Sequence, residues 1–253
     1  MIKANDSSAY DALGTDLRTL SKGRAEYLST IDRLVCDNIP SGLNSMLDVG
    51  AGDGVRADGI RSIKEVETLV LVEPSPIMAR LCRQIASAEV WPVAAENLPD
   101  LPPQFQVITC LWNVLGHIEG TRNRQAALGN MRRLLTPGGF LFLDVNNRYN
   151  ASAYGVVRTF LRLLYDLISP SETHGDVSFD WNIHGRVIRA MGHVFRPREI
   201  ESLLTEAGLT ILKRYVIDDQ TGELRRHWWQ GHLLYVIDTS PSSARDNSNE
   251  HTE

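Results

Sequence analysis

Cysteine is scarce in this chain of 253 residues. Its three copies, Cys36, Cys82 and Cys110, are scattered, form no Cys-x-x-Cys pair and supply no disulfide framework. Two of them stand in apolar runs and read as small buried hydrophobes. This usage suits a reducing compartment, so a cytoplasmic protein is expected. No apolar run reaches the length of a membrane span, and the opening Met1-Ile2-Lys3-Ala4-Asn5 has no apolar leader segment; neither membrane association nor export is expected. Long basic runs are also missing, and the formal net charge is -5. Sequence-independent nucleic-acid binding relies on a basic surface, so no nucleic-acid partner is expected. Metal ligation is not expected either, and no internal repeat is found. What remains is ordinary for a globular protein, 43% hydrophobic and 23% charged. The length suits one large domain or a domain with a cap.

The centre of the sequence is Met46-Leu47-Asp48-Val49-Gly50-Ala51-Gly52-Asp53-Gly54. It reads as a buried strand running into a glycine turn, with a helix starting near Val55. Glycines there permit positive φ and close approach of a ligand to the backbone. A third glycine of the dinucleotide fingerprint is lacking, since Val55 occupies its position, and no Lys-Ser or Lys-Thr follows as in a phosphate-binding loop. The next apolar run, Thr68 to Val72, ends in Glu73, which stands 21 positions after Gly52. An acid at about that distance can accept hydrogen bonds from ribose hydroxyls. Pro74 and Pro76 then open a helix.

Further strands are read at Glu89–Val93, Gln106–Leu111 and Phe140–Val145, the last preceded by a helix over 121–135 and the breaker Thr136-Pro137-Gly138-Gly139. Residues at the carboxyl ends of such strands face ligands in a doubly wound sheet. Trp112, Asn113 and His117 follow the fourth strand, with Asn113 and His117 spaced for one helical face. His117 has two readings, a general base or substrate anchor and a structural histidine. Asn146, Arg148 and Tyr149 follow the fifth strand and are candidates for substrate contact, with an Asx turn as the plain alternative. Residues 150–192 read as an amphipathic helix carrying Val156, Phe160, Leu163, Leu164, Leu167 and Ile168, then a hairpin turning at His184-Gly185. That segment is expected to form a lid, with Trp181, His184 and Arg186 as pocket candidates. Before the core, two helices are expected, contributing Tyr10 and Tyr27 either to a sheet edge or to a substrate pocket.

The glycine turn, the acid Glu73, the segment Ala94-Ala95-Glu96-Asn97-Leu98-Pro99 and the Leu135-Thr136-Pro137-Gly138-Gly139 turn together resemble the motifs of the class I S-adenosylmethionine (SAM) methyltransferases. Ala94 departs from the acid usual at its position. The resemblance covers roughly residues 45–238. It implies an α/β fold: a Rossmann-like, doubly wound seven-stranded sheet whose last strand is antiparallel and inserted between the fifth and sixth. With the local patterns it divides the chain into 1–45 as a helical cap, 46–149 as the SAM-binding core, 150–192 as the lid and 193–238 as the end of the sheet, while the polar, serine-rich composition marks 239–253 as a disordered tail. By carry-over, Asp48, Gly50, Ala51 and Gly52 surround the methionine and ribose of SAM, Glu73 and Pro74 hold the ribose, Ala95, Glu96 and Asn97 border the adenine, and Leu111, Trp112 and Asn113 line the sulfonium side. The implied activity is methyl transfer to an N or O nucleophile of a small molecule, as in natural-product biosynthesis, leaving S-adenosylhomocysteine. Such an enzyme is expected as a monomer or homodimer. Two alternatives stand beside it: a methyltransferase of peptide, protein or RNA, and a SAM-binding module without turnover.

Overall fold

The structure, a computed structural model, describes residues 10–12, 14, 23–183 and 186–239. The first expected helix lies mostly outside these residues, as do the His184-Gly185 turn and the expected tail from 240 on. The second expected helix is α1, Ala25–Asn38, which buries Tyr27, Ile31, Leu34 and Val35 at helical spacing.

Seven strands form one sheet: β1 (Ser45–Val49), β2 (Thr68–Val72), β3 (Ala88–Trp91), β4 (Phe105–Cys110), β5 (Leu135–Val145), β8 (Thr210–Ile217) and β9 (His232–Asp238). Their order is β3-β2-β1-β4-β5-β9-β8. The first five run parallel, while β9 lies antiparallel to both β5 and β8. Two further strands, β6 (Asp176–Ile183) and β7 (Arg186–His193), make a separate antiparallel hairpin.

Both sheet faces are covered, so the central strands are apolar on both sides. Leu47, Val49, Ile108, Leu141 and Leu143 pack against α5 (Thr121–Leu134) and α8 (Pro197–Glu206). Met46, Leu69, Leu71, Val107 and Phe142 face α1 and α2 (Val55–Lys64). The strand period of two then carries Asp48, Thr109 and Asp144 to the α1/α2 side, at the carboxyl ends of β1, β4 and β5. Between β2 and β3, α3 (Pro76–Cys82) begins at Ser75, whose side chain accepts a bond from the Met78 amide.

Three boundaries differ from the sequence expectation. Strand β5 starts at Leu135 rather than Phe140, because Leu135 already pairs with Phe105; residues 136–139, with Gly138 at φ 76°, bulge out before pairing resumes at Phe140 and Val107. Strand β3 stops at Trp91, before Pro92, which has no amide to give to a ladder. The lid helix is two helices, α6 (Ala151–Tyr154) and α7 (Val156–Ile168), separated at Gly155 with φ 83°. Between α5 and β4 runs α4 (Val114–His117), a single turn.

Candidate active site

The glycine turn is fastened to the neighbouring strand. The amides of Gly50 and Ala51 donate to the Val72 carbonyl at 2.9 and 3.0 Å. They therefore offer a ligand no N–H group, and the Ala51 carbonyl accepts the Gly54 amide at 2.9 Å, which leaves the Gly50 carbonyl and the Cα surface. Gly50 has φ 73°, and a Cβ there would clash with the Val114 side chain, so the turn closes directly on the start of α4. The Gly52 amide donates to Glu73 Oε2 at 2.8 Å, and the Ser75 amide donates to Glu73 Oε1 at 2.8 Å. Glu73 is only 6% exposed. Burial pushes its pKa up to about 7, against the two amide bonds that pull it down; Asp48 and Asp11 add to the rise. Each carboxylate oxygen keeps a second lone pair. Two acceptor positions on a buried acid suit a vicinal diol such as ribose.

Two more acids complete this floor. Asp48 accepts the Thr109 hydroxyl at 2.5 Å. Asp144 accepts the Tyr27 hydroxyl at 2.8 Å, the Asn113 amide at 3.3 Å and the Trp112 amide. Burial raises the pKa of both, and Arg56 opposes it. Trp112 and Asn113 have φ 65° and 58°, a left-handed pair that costs energy in non-glycine residues. The Asp144 carboxylate offsets that cost by holding both amides. Asp144 was not singled out in the sequence; an acid next to the end of an otherwise apolar strand was its available signal.

The remaining cofactor candidates divide by side chain. Leu111 and Ala95 are buried in the core clusters and can present backbone alone. Glu96 is half-buried, while Asn97 and Pro74 are exposed. The loop carrying Ala95 is tied by Asn130 Nδ2 to the Ala95 carbonyl at 3.2 Å. Asn113 spends its side chain on structure, donating to the His193 carbonyl at 3.3 Å and accepting the Asn146 amide at 2.9 Å. Asn113, just past the tip of β4, therefore has its side chain committed to the fold.

Several expected substrate contacts are corrected. Tyr27 is fully buried, its hydroxyl committed to Asp144 and its ring edge-on to His232 at 5.8 Å. Arg148 and Tyr149 are buried around Asp166: Arg148 Nε and Nη2 reach it at 2.7 and 3.1 Å, the Tyr149 hydroxyl at 2.8 Å and His174 Nδ1 at 2.9 Å. The plain alternative holds for Asn147, whose Oδ1 accepts the Tyr149 amide as an Asx turn. Asn146 stays half-buried at the tip of β5. His193, an imidazole near the presumed pocket, is sealed between Asp176 at 2.7 Å and Glu199 at 2.8 Å. His184 lies outside the described residues, and Arg186 is described as strand backbone alone.

Other candidates come together. Met78 on α3 packs with Ile188 and Ala190 of the hairpin, and Tyr10, Leu81, Trp112, Phe179 and Trp181 join that cluster. Tyr10 sits edge-on to both Trp181 and His117, at 5.3 and 5.5 Å between ring centroids. Phe179 lies 5.9 Å from His117. Asp11, next to Tyr10, accepts the Ser75 hydroxyl at 2.6 Å. His117 Nδ1 is 3.3 Å from the Met191 carbonyl. A carbonyl accepts alone, so Nδ1 carries the proton in that bond. Phe179 and Asp11 had no sequence signal beyond strand alternation and a polar N-terminus. Among the described residues there is no cluster of His, Cys, Asp and Glu able to hold a metal, and no helix is long and apolar enough to cross a membrane.

The strand order with an inserted antiparallel strand, and a glycine turn facing an acid at the tip of β2, define a class I methyltransferase fold. The chain belongs to the methyltransferase domain family, whose profile matches residues 20–214. No curated protein matches by sequence. Solved structures agree on the fold. A SAM-dependent methyltransferase from Thermotoga maritima, described as a possible histamine N-methyltransferase, superimposes with a TM-score of 0.63 at 15% identity, over 92% of this chain and 99% of its own. An amino pentose methyltransferase of calicheamicin biosynthesis from Micromonospora echinaspora, solved with SAM bound, gives 0.60 at 16% identity, over 88% and 96%. A sugar N-methyltransferase from Streptoalloteichus gives 0.57 at 20%, over 88% and 92%. SAM is the cofactor of this family and fold. The residues present fit it: Glu73 is a buried carboxylate with acceptor positions that match a vicinal diol, and the buried acids Asp48 and Asp144 at the neighbouring strand tips favour a cationic ligand.

Proposed function

We propose that this protein transfers the methyl group of SAM to a nitrogen or oxygen of a small molecule bound beneath the hairpin lid. One observation carries the reading: the inner face of β6 and β7 packs on α3 and on Trp112 and Tyr10, so the cofactor end of the sheet lies under an aromatic cover. A covered site suits an acceptor small enough to be enclosed, where a peptide or RNA needs an open groove. The sugar and amino pentose methyltransferases among the fold relatives point the same way, towards acceptors such as amino sugars in natural-product biosynthesis.

Bound SAM supplies an electrophilic methyl group that needs no further activation. The chain supplies position and exclusion of water. Glu73 would hold the ribose, the Gly50 carbonyl and the Ala51 backbone would face the methionine portion, and the loop at Ala95, Glu96 and Asn97 would border the adenine. Trp112, at the tip of β4, separates cofactor from acceptor. Tyr10, Phe179 and Trp181 form the acceptor wall, and His117 is the imidazole at that wall. The bond from Nδ1–H to the Met191 carbonyl fixes the orientation of that ring at the wall.

The test is release of S-adenosylhomocysteine by the full chain with SAM and a panel of amino sugars, hydroxylated sugars and small aromatic amines. Acceptor-dependent release is expected. Turnover confined to peptide or RNA substrates, or SAM binding without turnover on any acceptor, overturns the reading.

A further inference from the structure

Helix α7 is mounted the wrong way round for a surface helix. Amphipathic helices bury the apolar stripe and expose the polar one. Here the buried positions are Thr159 and Asp166, at 8% and 6% exposure, and the apolar side faces out. Val157 is 74% exposed, Phe160 57% and Ile168 83%; Leu161, Leu164 and Leu167 accompany them. The anchor is ionic: Asp166 is locked to Arg148, Tyr149 and His174, so the helix cannot roll over to hide its apolar side without breaking that hub. The exposed arc is on the order of 800 Å², about what one partner brings to a standard protein interface and more than a lone surface patch.

The geometry points to a second copy of this chain as the occupant. Three pairs of outward apolar positions are matched about Arg162, while Leu161 and Tyr165 flank them without an outward apolar mirror. Val156 mirrors Ile168, Val157 mirrors Leu167, and Phe160 mirrors Leu164. Two such helices crossing antiparallel at a twofold axis set each residue against its mirror position, as an isologous contact requires. The arc holds no charge of its own. Arg162 is turned aside, with its guanidinium 4.3 Å over the Tyr154 ring and Nη1 donating to the Arg148 carbonyl. A membrane surface is a poorer match, because an interfacial helix carries a basic polar face, and this one bears Arg158, the diverted Arg162 and Asp166 on a chain of net charge -5.

Sedimentation velocity of the full chain at micromolar concentration reads the prediction. Wild type is expected as a dimer. The double variant Phe160→Glu, Leu164→Glu is expected as a monomer with unchanged far-UV circular dichroism and SAM affinity. A second readout does not depend on charged variants. Single-cysteine variants Phe160→Cys and Leu164→Cys, mixed and treated with a short bismaleimide, are expected to cross-link several-fold more than either alone. A monomeric wild type, a dimer that survives the double variant, or equal cross-linking in mixed and separate samples overturns the proposal. So does wild type that floats with phosphatidylcholine–phosphatidylglycerol vesicles as a monomer, which would assign the face to a membrane.

Discussion

The floor of the proposed site and the segment 150–192 that we propose as its lid are held by opposite means. In the floor, acids sit at the tips of parallel strands and are satisfied by neighbours that the sheet itself supplies: Gly52 and Ser75 amides on Glu73, the Thr109 hydroxyl on Asp48, Trp112 and Asn113 amides on Asp144. Their strands are buried on both faces. In the lid, one buried acid, Asp166, gathers Arg148 and Tyr149 from just past the end of β5 and His174 from the turn before β6, while the helix that carries it leaves its apolar side in solvent. The floor is rigid because the sheet is; the lid is placed by an ion-pair hub and an aromatic contact. Floor and lid can accordingly be damaged separately, and binding of cofactor should part from use of the acceptor.

The largest effect is expected in the lid. Removing Asp166 as Asp166→Ala strands the Arg148 guanidinium, which with its partner is almost fully buried. Breaking such a pair costs about 3–5 kcal/mol. Burial raises the Asp166 pKa, but Arg148, Tyr149 and His174 outweigh it and hold the group below the usual carboxylate range. Its stabilisation is thus present above the ordinary carboxylate pKa and is lost as pH falls through the lowered one. The expected outcome is protease cleavage within 150–192 and loss of acceptor turnover, with SAM titration close to wild type. Equal loss of SAM binding would show that lid and floor are one unit.

Next is Glu73→Ala, which should break the floor and spare the lid. Two bonds to a charged acceptor disappear at about 1.5–3 kcal/mol each, so SAM affinity should fall roughly a hundredfold or more by calorimetry. Limited proteolysis of the lid should not change. If affinity falls by less than about threefold, the ribose is held elsewhere and the diol assignment is lost.

Much of the floor could be read in advance and little of the lid. The glycine turn and Glu73 are local patterns: their meaning rests on residues within one strand–turn–helix unit, where periodicity and spacing speak directly, while the strand order came only with the family resemblance those motifs carry. Asp144 escaped because its partner Tyr27 is 117 positions away. Asn113 was read as a ligand group because its place at a strand tip is visible in sequence, whereas its bonds to His193 and Asn146 are not. Arg148 and Tyr149 were misassigned for the same reason; a polar cluster at a strand end is equally what a ligand needs and what a buried hub needs. Helix α7 shows the limit of periodicity most plainly. Spacing reveals an apolar face, yet the direction that face points is decided by Asp166 on the other side.

A smaller effect is expected from pH, and it separates the two states of the floor. Glu73 in the cofactor-free protein sits at about 7, raised by burial. Hydroxyl donors favour the ionised carboxylate, so SAM affinity should climb with pH through 7 and level off above it, by about tenfold between pH 6 and 8. Stability of the cofactor-free protein runs the other way. A folded pKa raised above the ordinary 4.5 gives a contribution that is full below 4.5 and lost as pH rises through 7. Comparison with Glu73→Gln isolates both slopes: the variant should bind more weakly at pH 8 and show neither. A wild-type affinity flat from pH 6 to 8 would remove Glu73 as the titrating acceptor.

The smallest expected effect lies where floor and lid meet. Asp11 fastens the N-terminal segment to the floor through the Ser75 hydroxyl, and Tyr10 beside it touches Trp181 of the lid and His117 of α4. An edge-to-face aromatic pair contributes about 0.5–1.5 kcal/mol beyond its buried area. Tyr10→Ala should therefore raise the acceptor KM several-fold and leave kcat and SAM affinity nearly as they were, because the ring belongs to the cover and takes no part in moving a proton. Asp11→Ala should do the reverse in kind, loosening SAM slightly through Ser75 and Glu73. A Tyr10→Ala variant that weakens SAM more than acceptor would place the whole N-terminal segment with the floor. The aromatic wall would then be part of cofactor retention, and the acceptor would have to be recognised by the hairpin residues Phe179 and Trp181 without it.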